Sequence, residues 1–144
     1  KPRNPAFRVY QASAQNNITG NGAFAQIAWG TESHDAGGDV SGAVFTAPAT
    51  GLYAFNVRIN AGGIVSGHTA GLAYMVTSQG NFPLGGSIPS YVNIQDGETM
   101  FEGTQFISLD AGDTVYIQLY VAGGAQVVDV ATGAGNHWEG FLVG

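Results

Sequence analysis

Apolar and polar residues alternate along much of this chain with a period of two. Val115, Ile117, Leu119 and Val121 are interleaved with Thr114, Tyr116, Gln118 and Tyr120, as in a strand with one face buried. Tyr53, Phe55, Val57 and Ile59 alternate in the same way with Ala54, Asn56 and Arg58. Shorter runs of this character predict strands over Ala6–Ala12, Phe24–Trp29, Ala43–Ala47, Ala70–Thr77, Met100–Leu109 and His137–Val143. Turn-forming pairs separate them, among them Asn21-Gly22, Gly37-Gly38, Gly62-Gly63, Ala111-Gly112 and Gly123-Gly124. No stretch of about a dozen residues carries an apolar stripe at helical spacing. Many short strands and no helix predict an all-β sandwich or barrel, organised as one domain over residues 1–144. The apolar run from Trp138 to Val143 has no polar tail behind it. Such an end is expected to lie inside a sheet, in a central place.

Composition narrows the function classes. Only 10% of the 144 residues are charged while 44% are hydrophobic, so part of the surface is expected to be covered by another copy of the chain. The four cations are Lys1, Arg3, Arg8 and Arg58, against ten acidic residues. A phosphate-neutralising surface cannot be assembled from them, which argues against nucleic-acid binding. No apolar run is long enough to cross a membrane as a helix. The absence of cysteine excludes disulfides and thiolate metal sites.

Three segments, read together, resemble the globular head domain of complement C1q, a branch of the tumour-necrosis-factor-like jelly rolls. Phe45 to Phe55 sets a phenylalanine before a Pro48-containing turn, followed by Gly51, Tyr53 and Phe55 opening a strand. Leu109 to Tyr116 holds a Gly112-Asp113 turn leading into Val115. Trp138-Glu139-Gly140-Phe141-Leu142 is similar to the family's closing strand. Gly38 and Val57 stand where the pattern usually has aromatic residues, and Ser33 where it has Asn or Asp. The resemblance implies a ten-stranded jelly-roll sandwich that assembles as a homotrimer. It also implies a structural or trimer-core role for Phe45, Gly51, Tyr53, Phe55, Gly112, Asp113, Trp138, Gly140 and Phe141. A non-enzymatic head that binds a surface protein or a glycan, on a cell or virion surface or outside the cell, is the function it implies. A fibre or particle trimerisation domain without ligand is the first alternative. A monomeric carbohydrate-binding module or glycan-active enzyme is the second.

The chemistry-bearing residues agree with a binding module. His34, His68 and His137 are far apart and show no metal-ligand spacing. Gly63-Ile64-Val65-Ser66-Gly67 falls one residue outside a nucleophile elbow, and Gly20-x-Gly22 precedes a strand pattern, not a helix. Tyr116, Gln118 and Tyr120 share the polar face of their strand and are candidate ligand-binding residues; sheet-edge exposure or a subunit contact is the other reading. Some relatives in the resembled family bind calcium near the trimer apex, in a loop corresponding to residues 91–100. Asp96 and Glu98 are therefore candidate ligands for Ca2+, with a solvated Asp-Gly turn as the plain alternative. Asn17-Ile18-Thr19 is a glycosylation sequon only in a secreted eukaryotic protein.

Overall fold

The computed structural model describes residues 4–84 and 97–144. Those residues contain strands and no helix, and every strand pairing is antiparallel. In chain order the strands are β1 (Ala6–Gln11), β2 (Gln15–Thr19), β3 (Phe24–Gln26), β4 (Thr31–Asp35), β5 (Val40–Ser41), β6 (Val44–Thr46) and β7 (Gly51–Ile64). They continue as β8 (Ala70–Thr77), β9 (Gly80–Pro83), β10 (Gly97–Leu109), β11 (Thr114–Ala122), β12 (Val128–Val130) and β13 (Gly133–Leu142). Thirteen strands thus stand in the described residues where the resemblance implied ten. Several of the thirteen are only two to four residues long, too short to leave a period in the sequence.

Two sheets face each other. Sheet A is centred on β7, which pairs with β10 on one side and with β13 and β12 on the other. It continues from β13 to β1 and β4, and from β12 to β2. The second, sheet B, runs β5-β6-β11-β8-β9, with β3 beside the far half of β11. The last strand, β13, lies between β7 and β1, as its apolar ending predicts.

Alternation places the core between the sheets. Val115, Ile117, Leu119 and Val121 of sheet B and Tyr53, Phe55, Val57 and Ile59 of sheet A are buried. Phe7, Phe45, Tyr53, Phe55 and Trp138 form one aromatic cluster. Phe7 stacks on Phe45 at 5.0 Å between ring centres and meets Trp138 edge-on at 4.7 Å. Phe45 comes from sheet B and the other four from sheet A, so this cluster joins the two layers.

Two glycines act differently from the sequence expectation. Gly62-Gly63 reads as a turn, yet β7 runs through it to Ile64. A Cβ at Gly63 would stand 2.2 Å from the Val127 carbonyl oxygen, so the glycine admits the approach to β12 where a reversal was expected. Gly51, next to the Pro48 turn, reads as a residue that permits a turn conformation. Its φ is not in the left-handed region; instead a Cβ there would stand 2.6 Å from Leu142 Cδ1.

Gly140 is needed for close packing. A Cβ on it would lie 2.5 Å from Phe55 Cδ1 and 2.8 Å from Phe7 Cε1. Both rings are wedged in the aromatic cluster and cannot swing aside. Gly140→Ala is therefore expected to destabilise the fold by about 2–3 kcal/mol through overpacking. Urea unfolding checks this, and a neutral outcome would mean that the two rings are looser than the packing indicates.

Candidate functional site

The outer face of sheet A carries a contradiction to ordinary surface chemistry. Along β10 the outward residues are Glu102, Thr104, Phe106 and Ser108, and Phe106 is 62% exposed. Along β13 the outward residues include His137, Glu139 and Phe141, the last 54% exposed. Register brings the two rings into one row, because Phe106 and Phe141 both pair with Ala54 of β7 from opposite sides. Ala6 of β1 continues the row beyond Phe141. Two large apolar knobs thus flank a methyl-sized floor, and Leu52 stands exposed at the end of the same face.

The next row along the strands is polar. Thr104, Asn56, Glu139, Arg8 and His34 follow one another across β10, β7, β13, β1 and β4. Thr104 Oγ1 donates to Asn56 Oδ1 at 3.2 Å, and Asn56 Nδ2 donates to Glu139 Oε1 at 3.2 Å. Arg8 Nε stands 3.9 Å from Glu139 Oε2. Both charged side chains are well exposed, so the pair contributes at most about 1 kcal/mol in water. Ala6, Ala54, Asn56, Arg8 and Phe141 are among the residues bounding an open hollow of about 520 Å³ on this face. Knobs and a hollow side by side can interlock with a second copy of the same face, turned about an axis.

The outer face of sheet B is of another kind. Tyr116, Gln118 and Tyr120 are half-buried there, on the side of β11 opposite the core. Tyr120 pairs with Phe24 of β3 and with Leu72 of β8, and Gln118 pairs with Gln26 and Tyr74. Phe24 is 59% exposed and its ring stacks on Tyr120 at 4.6 Å between centres. Tyr74 is tilted against Phe24 at 6.3 Å.

Among solved structures, the globular domain of zebrafish complement 1qA protein matches with a TM-score of 0.66 at 18% identity, covering 97% of this chain and 98% of that one. The fold is that of the C1q globular domain. Murine APRIL, crystallised at pH 8.5, matches with a TM-score of 0.63 at 9% identity, over 97% of this chain and 98% of that one. Its form at pH 5.0 gives 0.61 at 12% identity with the same coverage. No protein-family model and no curated protein matches the chain. The likeness is therefore one of the jelly-roll fold, shared along nearly the whole length.

Within this C1q-like fold the signature segments touch one another. Ala47 N–H donates to the Asp113 carbonyl and Gly112 N–H to the Ala47 carbonyl, each at 2.8 Å. Ala111 N–H donates to Thr50 Oγ1 at 3.1 Å. Leu52 N–H donates to the Gly144 carbonyl, and Val143 N–H to that of Leu52. Tyr53 Oη donates to the Ala49 carbonyl at 2.6 Å, fastening the Pro48 turn to the core. Phe45, Tyr53, Phe55 and Trp138 are buried core residues. Phe141, for which the resemblance implies a structural or trimer-core role, is exposed on the outer face of sheet A beside Phe106.

Asp113 locks the turn made possible by Gly112, whose φ is +96°. Its carboxylate accepts from Asp110 N–H at 2.7 Å, Ser78 Oγ at 2.8 Å and the Gln79 amide. The backbone bond from Asp110, then the Ser78 hydroxyl, hold its pKa below the ordinary 3.8. A depressed carboxylate contributes stability above its unfolded-state pKa and loses it as pH falls through the folded value. Asp113→Asn is thus expected to melt below wild type at neutral pH, with the gap closing as pH falls below 3.8. Asp39, raised by burial and then by Asp35, has the opposite sign and is the same in both proteins. Thermal melts across that range provide the check; a gap that does not change with pH would disprove a charge-based role.

Asp96 lies outside the described residues. Glu98 is exposed and its Oε2 accepts from Asn60 Nδ2 at 2.8 Å. No group of three or more potential metal-binding side chains occurs among the described residues. His34 pairs into the polar row of sheet A, while His68 is buried, its Nδ1 accepting from Val65 N–H and its Nε2 bonded to the Ala125 carbonyl. Asn17 is exposed, and the sequon's Thr19 is buried with its hydroxyl bonded to Ala23 and Val121 carbonyls. Phe24, Gln26 and Tyr74 were not anticipated beside Tyr120, because register across three strands brings them there. Phe106 had a legible signal: an aromatic on the polar phase of its strand.

Proposed function

We propose that the chain is a non-enzymatic recognition head that assembles as a homotrimer through the outer face of sheet A and is displayed outside the cell or on a particle surface. The observation that carries this reading is the row Phe106–Ala54–Phe141, two exposed rings and a hollow in one register. Leaving both rings in water forgoes about 1–2 kcal/mol each that burial would return. The polar row beside them contains both signs of charge and amide groups, so a second copy can meet it with complementary partners. Knob-to-hollow contact is heterologous, and such contacts form a ring when the rotation between subunits closes. Closure in threes is what the resemblance to the C1q head implies.

The uncharged aromatic face of sheet B favours a head that recognises something over a trimer that only cements a particle. It lies on the opposite side of the sandwich from the assembly face and stays open in the trimer. Sedimentation equilibrium at micromolar concentration tests the assembly. A mass near three times 14.8 kDa is expected, whereas a monomer with that face in water removes the basis of the reading.

A further inference from the structure

The outer face of sheet B has no charged residue at any of its described positions. Across β3, β11 and β8 it presents Phe24, Tyr120 and Leu72 in one row and Gln26, Gln118 and Tyr74 in the next. Tyr116 and Val76 follow in a third row. In a chain with fourteen charged residues, many of them on the opposite face, this neutrality selects the ligand. A phosphate, sulfate or sialate would lose its hydration and find no cation there; a basic peptide would find no carboxylate. A neutral ligand loses nothing of the kind.

The two rows divide the remaining chemistry. Phe24, backed by Tyr120 at 4.6 Å and standing 59% exposed, offers a rigid flat ring to an apolar surface. About 7 Å along the strands, the Gln26 and Gln118 amides and the Tyr74 phenol offer donors and acceptors. A pyranose has this division built in, with C–H groups on its face and hydroxyls at its rim. From this geometry we infer that the outer face of sheet B binds a neutral glycan, one sugar ring lying on Phe24, which Tyr120 supports from behind, with its rim hydroxyls on Gln118, Gln26 and Tyr74. This gives the recognition half of the proposed function a site and a ligand class, and does not require the trimer. Three copies per trimer would add avidity to weak single sites.

The experiment uses the full chain on immobilised neutral oligosaccharides (glucose, galactose, mannose and N-acetylglucosamine oligomers) beside sialylated and sulfated ones. Binding to at least one neutral oligosaccharide is expected, and about 0.5 M salt should leave it unchanged because no ion pair contributes. Phe24→Ala should weaken it at least about tenfold, and so should Gln118→Ala, which keeps the aromatic stack. Both positions lie outside the core, so both variants should melt close to wild type. Phe106→Asp, which addresses only the trimer, should lower the avidity while leaving monovalent affinity in solution intact. Blank neutral oligosaccharides, binding only to the anionic ones, sensitivity to salt, or indifference to Phe24→Ala would each overturn the inference. So would capture of a protein alone on this face. A wild-type chain that is monomeric in solution yet binds the neutral glycan would overturn the trimer and spare this site.

Discussion

Phe106→Asp is expected to leave the sandwich folded and to separate the proposed trimer into single chains. In the lone chain the ring is 62% exposed, so its loss costs the fold little buried surface and a strand preference of less than about 1 kcal/mol. In the assembly the same position lies in the apolar row with Ala54 and Phe141. Each subunit then forgoes about 1–2 kcal/mol of apolar burial and must also dehydrate a carboxylate. Roughly 3 kcal/mol per subunit is a conservative sum, a factor of about 100 at each contact. Light scattering at micromolar concentration should give the monomer mass, with a circular dichroism spectrum matching wild type. Phe106→Leu, which keeps the apolar knob, should remain assembled. An intact Asp variant trimer would mean that the contact lies elsewhere.

Trp138→Ala should produce the largest loss of stability of any single truncation in the core. The indole is fully buried, edge-on to Phe7 at 4.7 Å and stacked on Phe55 at 6.2 Å. Removing it leaves a cavity bounded by rigid rings on a central strand, at a cost of about 3–5 kcal/mol. Domains of this size are stabilised by only about 5–15 kcal/mol, so the variant should unfold far earlier in urea or fail to accumulate. Trp138→Phe is the informative partner. Trp138 Nε1 is buried with no hydrogen-bond partner among the described residues, so losing that N–H relieves an unmet donor. The phenylalanine variant should therefore fall short of wild type by no more than about 1.5 kcal/mol. An alanine variant as stable as wild type would show that the cluster does not hold the sheets together.

Much of the sandwich can be read from residues in order. A period of two states which side of a strand is buried wherever the strand is long enough to repeat. Leu52–Ile59, Ala70–Thr77 and Thr114–Val121 match β7, β8 and β11, and in β7 and β11 the alternation gives the observed buried phase. The short strands β2, β4, β5, β9 and β12 left no such trace, since a few residues do not define a period. They are strands because a neighbour supplies hydrogen bonds, as β12 does for Gly62 and Ala61 of β7. Gly62-Gly63 was misread for the same reason: the sequence shows glycine, while the proximity of Val127 that requires it belongs to another part of the chain.

The sites divide along the same line. Sequence alone suffices for the all-β class, the buried phase of β7 and β11, the scarcity of cations, the lack of thiols and the Gly112-Asp113 turn. Each of these follows from the composition or from neighbours a few residues apart, whose geometry the covalent chain already restricts. Tertiary structure alone decided that Phe106 and Phe141 flank Ala54, and that Phe24, Tyr120 and Tyr74 gather beside Gln118 and Gln26. Those groupings depend on strand register between segments tens of residues apart. Register is fixed only when both sheets close over one core, because a shift of a single residue would turn every buried side chain toward water.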